Sequence, residues 1–166
     1  RLQDEAGRLM TLRFRAYDEG VGFRYEFPEQ ATSLKKIQVA DELTEFQMTG
    51  DHTAWWIPGD YDSNEHVYTT CPISAIDCTP YNKEHAIHTQ HIVRMKNVQT
   101  PITMRAADGM HIALAEAALV DFGALHLETD TEKLKFKAFL IPSPDSTIKS
   151  TNNLPFNTPW RAVLFG

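Results

Sequence analysis

The chain has 166 residues, 42% of them hydrophobic and 23% charged, which suits one domain with a sizeable core and excludes a disordered tail, a collagen-like fibre or a coiled coil. Its 16 Lys and Arg against 22 Asp and Glu leave a net charge of -6, so no broad positive field is available to hold a nucleic-acid backbone. No stretch approaches the ~20 consecutive apolar residues that a membrane-spanning helix requires.

From the N-terminus, Met10, Leu12, Phe14 and Ala16 alternate with Thr11, Arg13, Arg15 and Tyr17. Asp18-Glu19-Gly20 then supplies turn chemistry, and Val21, Phe23, Tyr25 and Phe27 alternate again. This predicts a hairpin with one apolar face and with Arg13, Arg15, Arg24 and Glu26 as solvated or cross-strand pairs on the other. Pro28 ends its second strand, having no amide hydrogen to give to a ladder. Further strands are predicted over 37–43, 53–57 and 86–95. A second hairpin runs over 101–106 and 110–114, with Asp108-Gly109 suited to a type I′ turn. The Ala- and Leu-rich stretch 113–119 favours helix by propensity, but the hairpin leading into it predicts that the strand continues. Strands follow at 124–128, at 134–140 with Leu134, Phe136, Ala138 and Leu140 on one face, and at 160–165, with a surface loop over 143–153. Many short strands punctuated by Pro and Gly imply an all-β, antiparallel sandwich or open barrel, one domain over 1–166. Residue 1 is Arg and the chain stops directly after a strand, so it reads as a piece of something longer.

Glu116 is the residue to single out. On a continued strand it shares a face with Ile112 and Leu114, which aims a carboxylate along an apolar row or at its rim. Such a group must be protonated, paired or bound to a cation; spacing alone equally allows a strand-end Glu in water or paired with an Arg. Asp121, of opposite parity, has no better claim. His85, His88 and His91 invite a metal site, yet three-residue spacing splits them across a strand and no H-x-H or H-E-x-x-H occurs. Trp55 and Trp56, with Tyr61 and Tyr68 nearby, suggest a sugar-stacking surface, although adjacent residues of a strand point to opposite sides. Trp160 is either packed or at a domain interface. Cys71 and Cys78 are too few for a disulfide-held miniprotein and lack a zinc spacing; unlinked thiols and a bridge across a short loop both stay open. No nucleophile–base constellation or phosphate-binding loop is legible.

Four segments in order, FRAYDEGVGFRYEFP at 14–28, TMRAADG at 103–109, HIALAEAALVDF at 111–122 and TPWR at 158–161, resemble the N-terminal domain of glycoside hydrolase family 97, bacterial α-glucosidases and α-galactosidases. The resemblance covers nearly the whole chain. It implies a β-super-sandwich similar to the galactose mutarotase fold, with the family's first strands missing upstream of Arg1. It also implies a (β/α)8 catalytic barrel elsewhere in the polypeptide that carries the acid and the base or nucleophile, so this piece alone should hydrolyse nothing. The family's glutamate in the E-A-A-L-type segment, matched here by Glu116, implies a ligand to Ca2+ beside an oligosaccharide substrate, and the family implies export to the periplasm. Two rivals come from other classes: a non-catalytic carbohydrate-binding sandwich working through Trp55 or Trp56 and Tyr61, and a cupin-like metalloenzyme using His85, His88 or His91.

Overall fold

The computed structural model describes residues 1–31, 33–81, 92–93, 96–141 and 147–166. Within them the alternating segments become β1 (Leu2–Gln3), β2 (Leu9–Tyr17), β3 (Gly20–Phe27), β4 (Lys36–Val39), β5 (Glu45–Gln47), β6 (Thr53–Trp56), β7 (Thr69–Pro72), β8 (Asn97–Gln99), β9 (Ile102–Arg105), β10 (His111–Ala117), β11 (Ala124–Asp130), β12 (Lys135–Ile141), β13 (Ser150–Asn153), β14 (Phe156–Asn157) and β15 (Trp160–Phe165). One short 3-10 turn, Ile73–Ala75, joins them. The large sheet has the order β1-β2-β3-β15-β10-β9-β6-β7, with β14 also on β3. A four-stranded sheet, β5-β12-β11-β8, and a two-stranded one, β13-β4, complete the set. Neighbouring strands in each run antiparallel.

The period of two explains which face is inside. In β12, Phe136, Ala138 and Leu140 are buried while Lys135 and Lys137 point the other way. In the large sheet Ala54, Trp56, Ile102, Met104 and Leu114 share the facing side. These two rows, Leu140 apart, form one core with Phe46, Val98, Leu125, Leu127 and the connecting residues Ile73, Ile76 and Cys78. The result is an all-β sandwich. Fully burying one such side chain contributes roughly 1.5–3 kcal/mol, so the facing rows are the main force that holds the sheets together.

Both hairpins form, and 113–117 is strand, as β-continuity rather than helix propensity predicts. Arg13 and Arg24 both pair with Glu26, at 2.6 and 2.7 Å, and the Arg13 hydrogen bond, more than any other contact, holds the Glu26 carboxyl down to about 2. Other expectations are corrected. The second hairpin closes through Ala107, Asp108 and Gly109, since the Ala106 amide donates to the Met110 carbonyl and the Gly109 amide to the Ala106 carbonyl. Of Asp108 and Gly109 only the glycine has positive φ, +94°, so a three-residue loop ending in a left-handed glycine replaces the type I′ turn. The strand expected over 37–43 stops at Val39, because the chain turns inward to bury Glu42. Ser150–Asn153 is not loop but the partner strand of β4; its polar letters carry no alternation that would have revealed it. Leu134 lies in the turn before β12 at φ +53°. Most of the strand predicted over 86–95, and the 143–146 part of the predicted loop, lie outside the described residues.

Gly20 is required where β3 meets β15. Its φ is +154°, and a Cβ there would lie 2.2 Å from the Val163 carbonyl oxygen. Gly20→Ala therefore has to part the two strands. The expected loss is about 2–4 kcal/mol, read as a lower urea midpoint; an unchanged midpoint would show that the β3–β15 contact can yield.

Candidate functional site

Glu116 is on the predicted face, in line with Ile112 and Leu114, and the β10–β15 register sets it opposite Arg161. Arg161 is completely buried, whereas the Glu116 side chain keeps 13% of its exposure. Arg161 Nη1 donates to Glu116 Oε2 at 2.8 Å, and the Leu125 amide at the start of β11 donates to Oε1 at 3.0 Å. The same guanidinium grips Glu42 with two bonds, from Nε to Oε1 at 2.9 Å and from Nη2 to Oε2 at 2.6 Å. Glu42 in turn accepts the Thr44 hydroxyl at 2.7 Å, which leaves Thr44 to accept from the Tyr25 hydroxyl at 2.8 Å. Four strands and the segment before β5 thus converge on one cation between two carboxylates.

Burial works against the charged guanidinium, but the hydrogen bonds and charges of Glu42 and Glu116 more than offset it, so the pKa of Arg161 is raised. The triad has a formal charge of -1, and its surplus lies toward the partly exposed member. A cavity of about 280 Å³ lined by Tyr25, Glu42, Leu43 and Phe122 opens beside it. A wider cleft of about 940 Å³ runs between β1, β2 and β4, but its lining includes neither Glu42, Glu116 nor Arg161.

Immediately after Glu116 the chain turns sharply: Ala118 and Asp121 both have positive φ, +57° and +50°. Two non-glycine residues in that region within four positions is a local strain held by the surroundings. The holding contacts are the Asn152 side-chain amide, 2.7 Å from the Asp121 carbonyl, and the Ser150 hydroxyl. The turn leaves Leu119 and Val120 exposed, as is Leu43 nearby in the Glu42 segment. It also removes Asp121 from the strand, so its parity carries no meaning.

The aromatic candidates are not brought together. Trp56 is buried in the core, with its Nε1 donating to Cys71 Sγ at 3.2 Å. Trp55 is on the opposite face, stacked on His111 at 6.2 Å. Tyr61 lines a separate, polar cavity with Glu128 and Lys137, and Tyr68 is exposed on the surface. Trp160 lies on the outer face, with the guanidinium groups of Arg15 and Arg24 at 4.8 and 4.6 Å from its ring centre. Cys71 and Cys78 are free thiols; burial pushes the Cys78 thiol up to about 12. His85, His88 and His91 lie outside the described residues. Among the described residues no three His, Cys, Asp or Glu side chains converge to hold a metal ion.

Arg161 and Glu42 do not stand out in sequence as site residues. The available signal was parity: in β15, Arg161 shares a face with Val163 and Phe165, and a cation on an apolar row needs a carboxylate opposite. His126 gave no signal at all. It is buried on β11 with Nδ1 unpartnered, and burial, only partly opposed by the charge of Asp60, lowers it to about 4.

Compared with known proteins, residues 1–166 match the family described as Glycosyl-hydrolase 97 N-terminal. A variant of a glycoside hydrolase family 97 enzyme from Pseudoalteromonas sp. strain K8 superposes with a TM-score of 0.75 at 38% identity, over 95% of this chain and 21% of that one. The enzyme in complex with acarbose gives the same values. The retaining α-galactosidase of Bacteroides thetaiotaomicron is 24% identical over 183 residues, 93% of this chain and 24% of its own length. A crystal structure of a β-arabinopyranosidase, at 20% identity and a TM-score of 0.78 over 99% of this chain and 26% of that one, shares the fold. The chain spans 21–26% of the length of these relatives.

Two stability tests follow from the geometry. Arg161→Met leaves two carboxylates without their cation and should cost about 3–5 kcal/mol in urea unfolding; a loss under 1 kcal/mol would mean that water enters the triad freely. His126 is neutral in the fold and ionises near 6.5 when unfolded, so its contribution is complete above pH 6.5 and lost as pH falls toward 4. The loss is on the order of 3 kcal/mol. His126→Leu should flatten the stability slope between pH 6.5 and 4, whereas an identical slope in the variant would assign the acid sensitivity elsewhere.

Proposed function

The chain belongs to the glycosyl-hydrolase 97 N-terminal family, and we propose that its parent is an exported, calcium-dependent α-glycosidase in which this domain packs on a (β/α)8 catalytic barrel. In this reading Glu116 lends its carboxylate to a Ca2+ ion at the edge of the substrate pocket, and the reacting acid and base or nucleophile belong to the barrel. The substrate is an α-galactoside or α-glucoside, supported by a relative named a retaining α-galactosidase and a relative solved with acarbose.

The observation that carries the reading is the state of Glu116. It is hydrogen-bonded by two donors, partly exposed, and the surplus anion of a triad with net charge -1. A carboxylate has about four acceptor positions, so each Glu116 oxygen retains one for a further partner. Ca2+ takes ~6–8 hard oxygen ligands and tolerates irregular geometry, which fits one fixed carboxylate here with the others supplied by the barrel, water and sugar. When bound, such an ion would polarise or orient groups around the glycosidic oxygen. This chain's share is to present one oxygen ligand in a fixed direction and to supply a wall of the pocket.

The test is hydrolysis of aryl α-glucoside and α-galactoside by the undivided parent, wild type against Glu116→Gln, with calcium added and with calcium chelated. Activity should require calcium, and the substitution should remove most of it or raise the calcium requirement about 10-fold or more. Full activity of the variant in chelator would return Glu116 to a purely structural ion pair.

A further inference from the structure

Arg161 uses three donors, and their division is unequal. Glu42 receives two in the side-on match of a guanidinium with a carboxylate, whereas Glu116 receives one. Bidentate pairs of this kind are the strong ones and fix direction as well as distance. Glu42 is itself held by Thr44, and Thr44 by Tyr25, so the fork cannot rotate toward Glu116 without abandoning a carboxylate that is only 6% exposed. An uncompensated buried carboxylate is costly, so the unequal division is locked.

On the reading that Glu116 is a calcium ligand, we propose that Glu42 and Arg161 are positioning residues for it. Glu42 absorbs the charge of Arg161, and Arg161 then aims the Glu116 carboxylate through one hydrogen bond without neutralising it. The Leu125 amide fixes the second oxygen. Without Glu42 the whole positive charge of Arg161 would fall on Glu116, and both oxygens would be drawn to the fork. A residue that never touches the cation thereby sets how strongly it is bound.

Calcium affinity of the parent polypeptide, measured by titration calorimetry alongside its thermal midpoint in chelator, tests this directly. Glu42→Gln keeps the shape and removes the charge, and should raise the calcium Kd about 10- to 100-fold. Glu42→Asp keeps the charge and should recover most of that loss. If Glu42→Gln does not fold, Arg161→Lys, which keeps the charge but not the fork, takes its place with the same expected weakening. A wild-type parent that binds no calcium would overturn the proposed function and this inference with it. A wild type that binds calcium while the folded variants bind it equally well, with only the midpoint lowered, would overturn the positioning role alone.

Discussion

The buried guanidinium of Arg161 is the constraint on which the rest of this domain turns. It belongs to β15, which lies between β3 and β10 in the large sheet, and its three bonds reach β10 and the segment before β5. Through Glu116 the same network touches the Leu125 amide of β11 in the opposing sheet. Apolar rows alone would hold two sheets face to face without fixing how they slide. A network of directional bonds that runs from the fork through Glu116 to β11 selects one alignment, at the cost of burying charged groups.

That cost explains the local departures from regular strand. The strand expected to run to residue 43 is cut short at Val39, and the chain passes inward so that Glu42 can meet the fork. The Thr44 carbonyl still accepts from the Ala138 amide, so the excursion leaves little backbone unpaired. On the other side, the turn after Ala117 needs two left-handed residues without glycine. Both irregular segments border the triad, and both place apolar side chains, Leu43, Leu119 and Val120, in solvent beside it.

Much of the fold could be read from alternation. The hairpin at 10–27, the hairpin around Gly109, and the strands that became β6, β11, β12 and β15 all carry a period of two with β-branched or aromatic letters. Short strands without that signature were invisible: Glu45–Gln47 and Ser150–Asn153 are strands only because a neighbour's open edge recruits them. The candidate site was half legible. Parity placed Glu116 on the core-facing side, but its partner depended on the register of β10 against β15, which no local pattern encodes. Glu42 lies outside any strand and lines up with Arg161 across more than a hundred residues, so only the folded chain brings them together.

Sheet geometry also limits what such a domain can do by itself. Alternate residues of a strand share a face, and neighbouring strands bring side chains of that face within reach only as cross-strand pairs or diagonals. The position opposite Glu116 is taken by Arg161, and the other carboxylate of the triad, Glu42, already accepts three hydrogen bonds and is buried. Among the described residues this face therefore offers one oriented carboxylate, and a hard cation that wants ~6–8 oxygens would need the rest from elsewhere. A single fixed ligand has little affinity alone but adds strongly when a second body presents the others, because its direction has already been set by folding. On the proposal that Glu116 is a calcium ligand, the triad would therefore act at a boundary between this domain and another rather than hold an ion in isolation.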